Sequence, residues 1–247
     1  MNLPQQKDSI HKSWLLKIIQ AIADDRYLAS VLFFTGGTCA AMLGWLDRFS
    51  VDLDFDYVGT KGDIQKTRTA LEALFATLGL TIKDQSKRGI QYFLKYEDGG
   101  SDRKIVKIDS AFPVALANTY ATIRLLEIDR MLTCQTKETM FANKLIAVMG
   151  RYKRTGHIAG RDIYDVDYFF KHGASYNEGV IRERSGKEPL AYFAELLGFI
   201  EKHVTDKVIA DDLNMLLTPK LLVMSRRFLK QSVLVLLRDE IKRLENK

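Results

Sequence analysis

Cysteine, proline and histidine are scarce in this chain, at two, four and four residues out of 247. Cys39 and Cys134 sit in apolar contexts with no CxxC spacing and no histidine cluster near either. That excludes a disulfide framework and a structural zinc site, and predicts two small buried hydrophobes in a reducing compartment. The prolines are scattered, and no Pro/Ser-rich or low-complexity stretch marks a linker. His11, His157, His172 and His203 are dispersed without ligand spacing. No run approaches the roughly 18 uninterrupted apolar residues of a membrane span, and the opening MNLPQQKDSIHKSW has no apolar signal-peptide core. A cytoplasmic protein that does not enter a membrane is therefore expected. There is no GxxxxGK[ST], which excludes a P-loop, and Ser30, Ser50 and Ser110 have no nucleophile-elbow context. Internal repeats of solenoid length are absent as well.

What is present is the balance of a globular chain, 47% apolar and 28% charged, long enough to bury one large core or two modest ones. The formal charge of +6 and pI near 9.1 permit a polyanionic partner. Part of the excess is concentrated in Arg151, Lys153, Arg154 and Arg161, and part in Arg226, Arg227 and Lys230.

Periodicity predicts a helix over Ile10 to Leu28, a short strand over Val31 to Phe34, and helix again from Thr38 to Leu46. Val51 to Asp56 alternates apolar and carboxylate, the strand period, and Lys61 to Leu78 is an amphipathic helix. Strands are predicted at Leu80 to Lys83, Ile90 to Tyr96 and Lys104 to Phe112, the last two joined through a turn at Glu97-Asp98-Gly99-Gly100. A further edge strand is expected over Arg124 to Ile128. After Thr136 the patterns are helical: Lys137 to Tyr152, Asp162 to Lys171, Pro189 to Lys202, and Pro219 to the end. The expectation is an α/β (α+β) core over residues 1–130 and a helical domain over 131–247, with an active-site cleft completed by the second.

The chemistry concentrates in TGGTCAAMLGWLDRFSVDLDFD. On a strand, Asp52 and Asp54 share one face while Leu53 and Phe55 take the other. Two carboxylates this close repel, and a hard divalent cation such as Mg²⁺ relieves that repulsion with oxygen ligands completed by water and phosphate. With a third carboxylate, two metals could serve a phosphoryl or nucleotidyl transfer. Asp109, in Val106-Lys107-Ile108-Asp109, is the candidate, with Lys107 on its own face and Ala111-Phe112-Pro113 threatening an early strand end. Gly36 and Gly37 would let the backbone approach a triphosphate, and Thr38 would cap the following helix or bond a phosphate oxygen.

The segment Gly36-Gly37-Thr38 followed by Arg48, Ser50, Asp52, Leu53 and Asp54 resembles the first motif of the AbiEii/AbiGii-type toxins, members of the nucleotidyltransferase superfamily found in toxin–antitoxin and phage-abortive (abortive infection) systems. Lys107-Ile108-Asp109 resembles the family's second acidic strand. Ala142-Asn143-Lys144-Leu145, with Arg151 further along, and the RDxxD signature in Arg161-Asp162-Ile163-Tyr164-Asp165 complete the match over about residues 30 to 170. Cys39 and Ala40 depart from the aliphatic residues the family more often carries after GGT, and nothing after about Ser185 matches a motif.

The resemblance implies a nucleotidyltransferase-fold mixed sheet flanked by helices, followed by a C-terminal helical bundle. It implies that Asp52 and Asp54, with Asp109 as a third ligand, bind one or two Mg²⁺. Gly36, Gly37, Thr38, Arg48 and Ser50 would shape the nucleotide site, Lys144 would meet the triphosphate of an NTP substrate, and Asp162 or Asp165 would act as a base or orient the acceptor hydroxyl. The implied partners are an RNA such as tRNA as acceptor, resting on Arg151 to Arg161, and a cognate antitoxin. Two readings of other classes stay open: a kinase-like phosphotransferase on the same scaffold, and a catalytically silent nucleotide- or protein-binding member. Intact Asp52, Asp54, Lys144 and Asp162 weigh against the silent reading.

Overall fold

The computed structural model describes residues 2–97 and 103–247. The chain divides into two compact units, one of residues 3–114 and 120–135, the other of 115–119 and 136–247. The turn expected at Glu97-Asp98-Gly99-Gly100 lies, from Asp98 onward, outside the described residues.

The first unit is a seven-stranded mixed sheet with four helices. In chain order it runs α1 (Asp8–Asp24), α2 (Arg26–Val31), β1 (Leu32–Thr35), α3 (Gly36–Met42), β2 (Asp52–Tyr57), α4 (Ile64–Thr77), β3 (Thr81–Gln85), β4 (Gln91–Lys95), β5 (Ile105–Ala111), β6 (Tyr120–Leu125) and β7 (Arg130–Gln135). The strand order is β3-β4-β5-β2-β1-β7-β6, with β2/β5 and β1/β7 parallel and the other neighbours antiparallel. The alternation that identified β2 is the alternation the sheet uses. Leu53 and Phe55 are buried, and Phe55 meets Phe34 of β1 with ring centroids 5.5 Å apart. Leu15, Ile18, Ile19 and Ile22 form the buried stripe of α1, which packs on the sheet against β5 and β7. Each such side chain removed from water contributes about 1.5–3 kcal/mol.

The second unit is helical: α5 (Lys137–Thr155), α6 (Gly160–Lys171), α7 (Glu178–Ser185), α8 (Pro189–His203), α9 (Asp206–Leu213) and α10 (Pro219–Glu245). The α5 helix begins where Thr136 accepts the backbone N–H of Thr139, and it ends at Gly156 in the left-handed conformation (φ 71°). Against it pack α6 and α7, while α10 runs along α6, α8 and α9. Phe141 and Phe169 stack at 5.0 Å in this core. Among the described residues no helix is long and apolar enough to cross a membrane.

Three short helices escaped the periodicity, because six to eight residues barely span two turns. They form instead on local caps: Asp25 accepts from Tyr27 and Leu28 for α2, Asn177 from Val180 for α7, and Thr205 from Val208 for α9. The edge strand expected over Arg124 to Ile128 is corrected to the β6–β7 hairpin. The apolar residues that suggested it include Leu126, which the turn leaves 82% exposed. The strand β7 went unread, and it is the one that pairs parallel with β1.

Candidate active site

The strand β1 stops at Thr35, and the chain turns directly into α3 through Gly36 at φ +79°, a conformation only glycine adopts without strain. Both glycines are also required by their neighbours. A Cβ built on Gly36 would lie 2.3 Å from Oδ2 of Asp54, and one on Gly37 would lie 2.8 Å from both Nη2 of Arg48 and Oγ of Ser50. The double glycine therefore lets these three side chains close onto the backbone. This sharpens the expectation that the glycines make room for a triphosphate: the groups seen filling the space are the protein's own.

Thr38 is corrected. It lies inside α3, whose N-cap position is Thr35, so it does not cap the helix. Its hydroxyl donates instead to the carbonyl of Asp52 at 2.5 Å, fastening the helix to β2. Arg48, only 2% exposed, donates from Nη1 to the carbonyl of Phe49 at 2.9 Å, and Ser50 is buried beside it. The structure thus brings Gly36, Gly37, Thr38, Arg48, Ser50, Asp52 and Asp54 into one neighbourhood. Asp52 and Asp54 lie half-buried on the same face of β2.

Asp56 continues that face but does other work. It is buried and accepts from the Tyr120 hydroxyl at 2.7 Å and from Gln135 Nε2 at 2.6 Å, tying β2 to β6 and β7. The third candidate ligand, Asp109, is in register with Asp54 across the β2/β5 pair. Its Oδ2, however, is held by Lys107 Nζ at 2.5 Å and Gln91 Nε2 at 3.1 Å. Lys107 was visible in the sequence two residues before Asp109, whereas Gln91 came into reach only through the β4/β5 register. Among the described residues, no three His, Cys, Asp or Glu side chains converge into a closed ion site. The donor set at Asp52 and Asp54 still fits a hard cation that keeps part of its shell as water and substrate oxygen.

Two further groups bear on β2 without having been singled out. His11, buried on α1, contacts the carbonyl of Val51 through Nε2 at 2.8 Å and the Tyr96 hydroxyl through Nδ1 at 2.9 Å. Burial lowers its pKa, against the opposing pull of the Val51 carbonyl, to which Nε2–H donates. Cys39, fully buried in α3, has its thiol pushed well above the usual range by burial first, and then by Cys134 and the charge of Asp54. Both cysteines are free and buried, as their contexts indicated.

In the helical unit, Lys144 of α5 pairs with Asp165 of α6 at 2.8 Å, and Arg151 Nε pairs with Asp162 at 3.0 Å. Asp165 is fully buried and Asp162 nearly so, while the Lys144 side chain keeps 14% of its surface exposed. Lys144 and Arg151 are two turns apart on one helix and Asp162 and Asp165 one turn apart on the other, so the two ion pairs clip α5 to α6. Arg161 turns away from this pair. Its backbone N–H donates to Asp212 at 2.8 Å and its guanidinium lies 3.5 Å from the same carboxylate. Within the basic segment Arg151 to Arg161, then, both end arginines are engaged by acids, while Lys153, 3.5 Å from Glu195, and Arg154 are exposed.

The sequence profile of the nucleotidyl transferase AbiEii toxin, type IV toxin–antitoxin system, matches residues 17–226 of the chain. The chain belongs to the AbiEii nucleotidyltransferase toxin family. Three solved structures share its fold. A putative nucleotidyltransferase from Helicobacter pylori superposes with TM-score 0.63 at 19% identity, covering 98% of each chain. JHP933, also from H. pylori, gives 0.62 at 18% identity, with 99% of this chain and 96% of that one covered. MenT4, a nucleotidyltransferase toxin from Mycobacterium tuberculosis, gives 0.52 at 19% identity over 97% and 88%. No curated protein matches in sequence. Identities this low carry the fold, a nucleotidyltransferase-like mixed sheet with flanking and following helices; the family membership rests on the profile.

Proposed function

We propose that this AbiEii-family protein moves a nucleotidyl group from a nucleoside triphosphate to an RNA hydroxyl, tRNA being one such acceptor, with pyrophosphate leaving. The observation that carries the reading is the closure of Asp54, Arg48 and Ser50 onto Gly36 and Gly37, with Asp52 on the same strand face. Asp52 and Asp54 would hold Mg²⁺, one ion or two. When bound, the ion offsets the repulsion of the carboxylates and the charge that develops on the transferring phosphate. Arg48 and Ser50 would shape the nucleotide site from their place against Gly37, and Thr38 holds the α3–β2 geometry through its bond to Asp52. Asp109, held by Lys107 and Gln91, serves as a third ligand only if an ion draws it from those partners.

Lys144 is the compact charge proposed for the triphosphate, and Asp165 positions it through their 2.8 Å ion pair. Asp162, buried against Arg151, is read in the same way, as orienting a cation rather than taking a proton. The type IV toxin–antitoxin description of the family supports a growth-inhibiting role countered by an antitoxin partner.

The test is incubation of the protein with α- or γ-labelled triphosphates, Mg²⁺ and total RNA, beside the Asp54→Ala variant. The expected result is label from the α position on RNA, lost in Asp54→Ala. Label arriving only from the γ position would convert the reading to a kinase, and no transfer by folded protein would leave a silent binding module.

A further inference from the structure

A pocket of about 470 Å³ opens in the helical unit, apart from the Lys144–Asp165 and Arg151–Asp162 pairs. Its floor is set by the end of α5 and the Gly156-His157-Ile158 turn, and its sides by the C-terminus of α8 and by α9. The volume is that of a small-molecule site.

One wall is aromatic. Tyr152 and His203 lie 4.9 Å apart between ring centroids, and Phe199 backs both at 5.2 and 4.9 Å. Asp211, Asp212 and His157 also line the pocket. The carboxylate of Asp211 and the imidazole nitrogens of His157 and His203 make no hydrogen bond or ion pair with any other described residue. The adjacent Asp212 is different, since Arg161 occupies it. Lys153 and Arg154, which follow Tyr152 on α5, are both exposed, and Lys153 lies 3.5 Å from Glu195.

These features select a ligand. The Tyr152 and His203 rings are tilted 43° to each other, so each offers its own face, and a single aromatic face holds a flat ring by stacking whatever the base. A carboxylate without a protein partner among the described residues, such as Asp211, accepts from rings with adjacent N–H donors, and the exposed cations that follow Tyr152 on α5 suit a flanking phosphate rather than the ring itself. Guanine has that edge, with its ring N–H and its exocyclic amine side by side. We propose that this pocket takes up a guanine base of the single-stranded acceptor RNA, stacked against Tyr152 and His203 and hydrogen-bonded to Asp211. The proposal rests on RNA being the acceptor, and it adds a site that holds one base of that RNA while its hydroxyl reacts elsewhere.

The experiment measures fluorescence anisotropy of labelled single-stranded RNA octamers with the full-length protein, without triphosphate or Mg²⁺. One octamer carries a single central guanine, and a second carries inosine there, which lacks the exocyclic amine. Wild type is expected to prefer guanine over inosine, and Asp211→Asn to erase that preference while weakening the guanine octamer about tenfold. Tyr152→Ala is expected to weaken both octamers about tenfold, the scale of one lost stacking contact. Asp211 is exposed and unpaired among the described residues, so its variant should fold even if Tyr152→Ala does not. No binding by wild type, or equal binding by folded Asp211→Asn with the preference intact, overturns the proposal. Free GMP competing as strongly as the octamer would assign the pocket to a nucleotide and overturn the RNA assignment. Asp211-dependent binding without α-label transfer would sink the proposed reaction and leave the pocket standing; transfer with binding indifferent to Asp211 does the reverse.

Discussion

Gly36→Ala separates the backbone role of the double glycine from its role at the site. At φ +79° an alanine carries a left-handed strain of about 1–2 kcal/mol, which in a chain of this size lowers Tm by about 2–8 °C. The second effect is local. The new Cβ would sit 2.3 Å from Asp54 Oδ2, whereas ordinary contact begins at 3.4 Å, so the carboxylate must retreat by about 1 Å. A misplacement of that size at a reacting centre costs on the order of 100-fold in rate. Gly79→Ala is the control, since Gly79 has φ +72° and nothing within 4 Å of the added Cβ. Gly36→Ala should melt below Gly79→Ala, because its Cβ also meets Asp54 Cβ at 2.7 Å, and only Gly36→Ala should lose α-label transfer measured well below its own Tm. Equal transfer by the two variants would refute the argument that Asp54 is positioned through contact with Gly36.

Two other perturbations follow from buried groups. Lys144→Met leaves the fully buried Asp165 without its lysine, so it should cost about 3–5 kcal/mol; Asp165→Asn should cost less, because Lys144 keeps access to water. Urea melts that rank the two variants the other way would show that the pair is not what clips α5 to α6 there. His11 has a folded pKa below its unfolded value near 6.5. Its contribution is therefore complete above that value and is lost as pH falls through 6.5 toward the folded pKa, at a slope of at most about 1.4 kcal/mol per pH unit. Urea midpoints between pH 7.5 and 5 should fall more steeply for wild type than for His11→Gln, and parallel curves would remove His11 from the account.

Much of the site was legible because it is local. Gly36, Gly37, Asp52 and Asp54 lie within one strand–turn–helix–strand unit, where period-two alternation and glycine chemistry operate over neighbouring residues. The same period could not sort Asp56 from Asp54, since both share a face of β2; Tyr120 and Gln135, brought in by β6 and β7, are what make Asp56 structural. Asp109 shows the same limit. Its strand and face could be read, but its partner Gln91 depends on a register between strands whose order no local pattern encodes. The strand β7 was missed for a related reason: an exposed hairpin turn carried the apolar residues that β6 and β7 were expected to show.

By itself, the sequence determined the double glycine and the paired aspartates, because each depends on the backbone freedom or pleat of adjacent residues. It also determined that Asp162 and Asp165 share a helix face. Only the tertiary structure decided what those groups face. It set Asp54 against Gly36, Lys144 against Asp165 rather than Arg161, and Arg161 against Asp212. It also assembled the Tyr152–His203–Asp211 pocket, whose Tyr152 precedes the other two residues by more than 50 positions in the chain. Contacts of that kind follow from which buried faces pack together, and a charge's partner is chosen by packing.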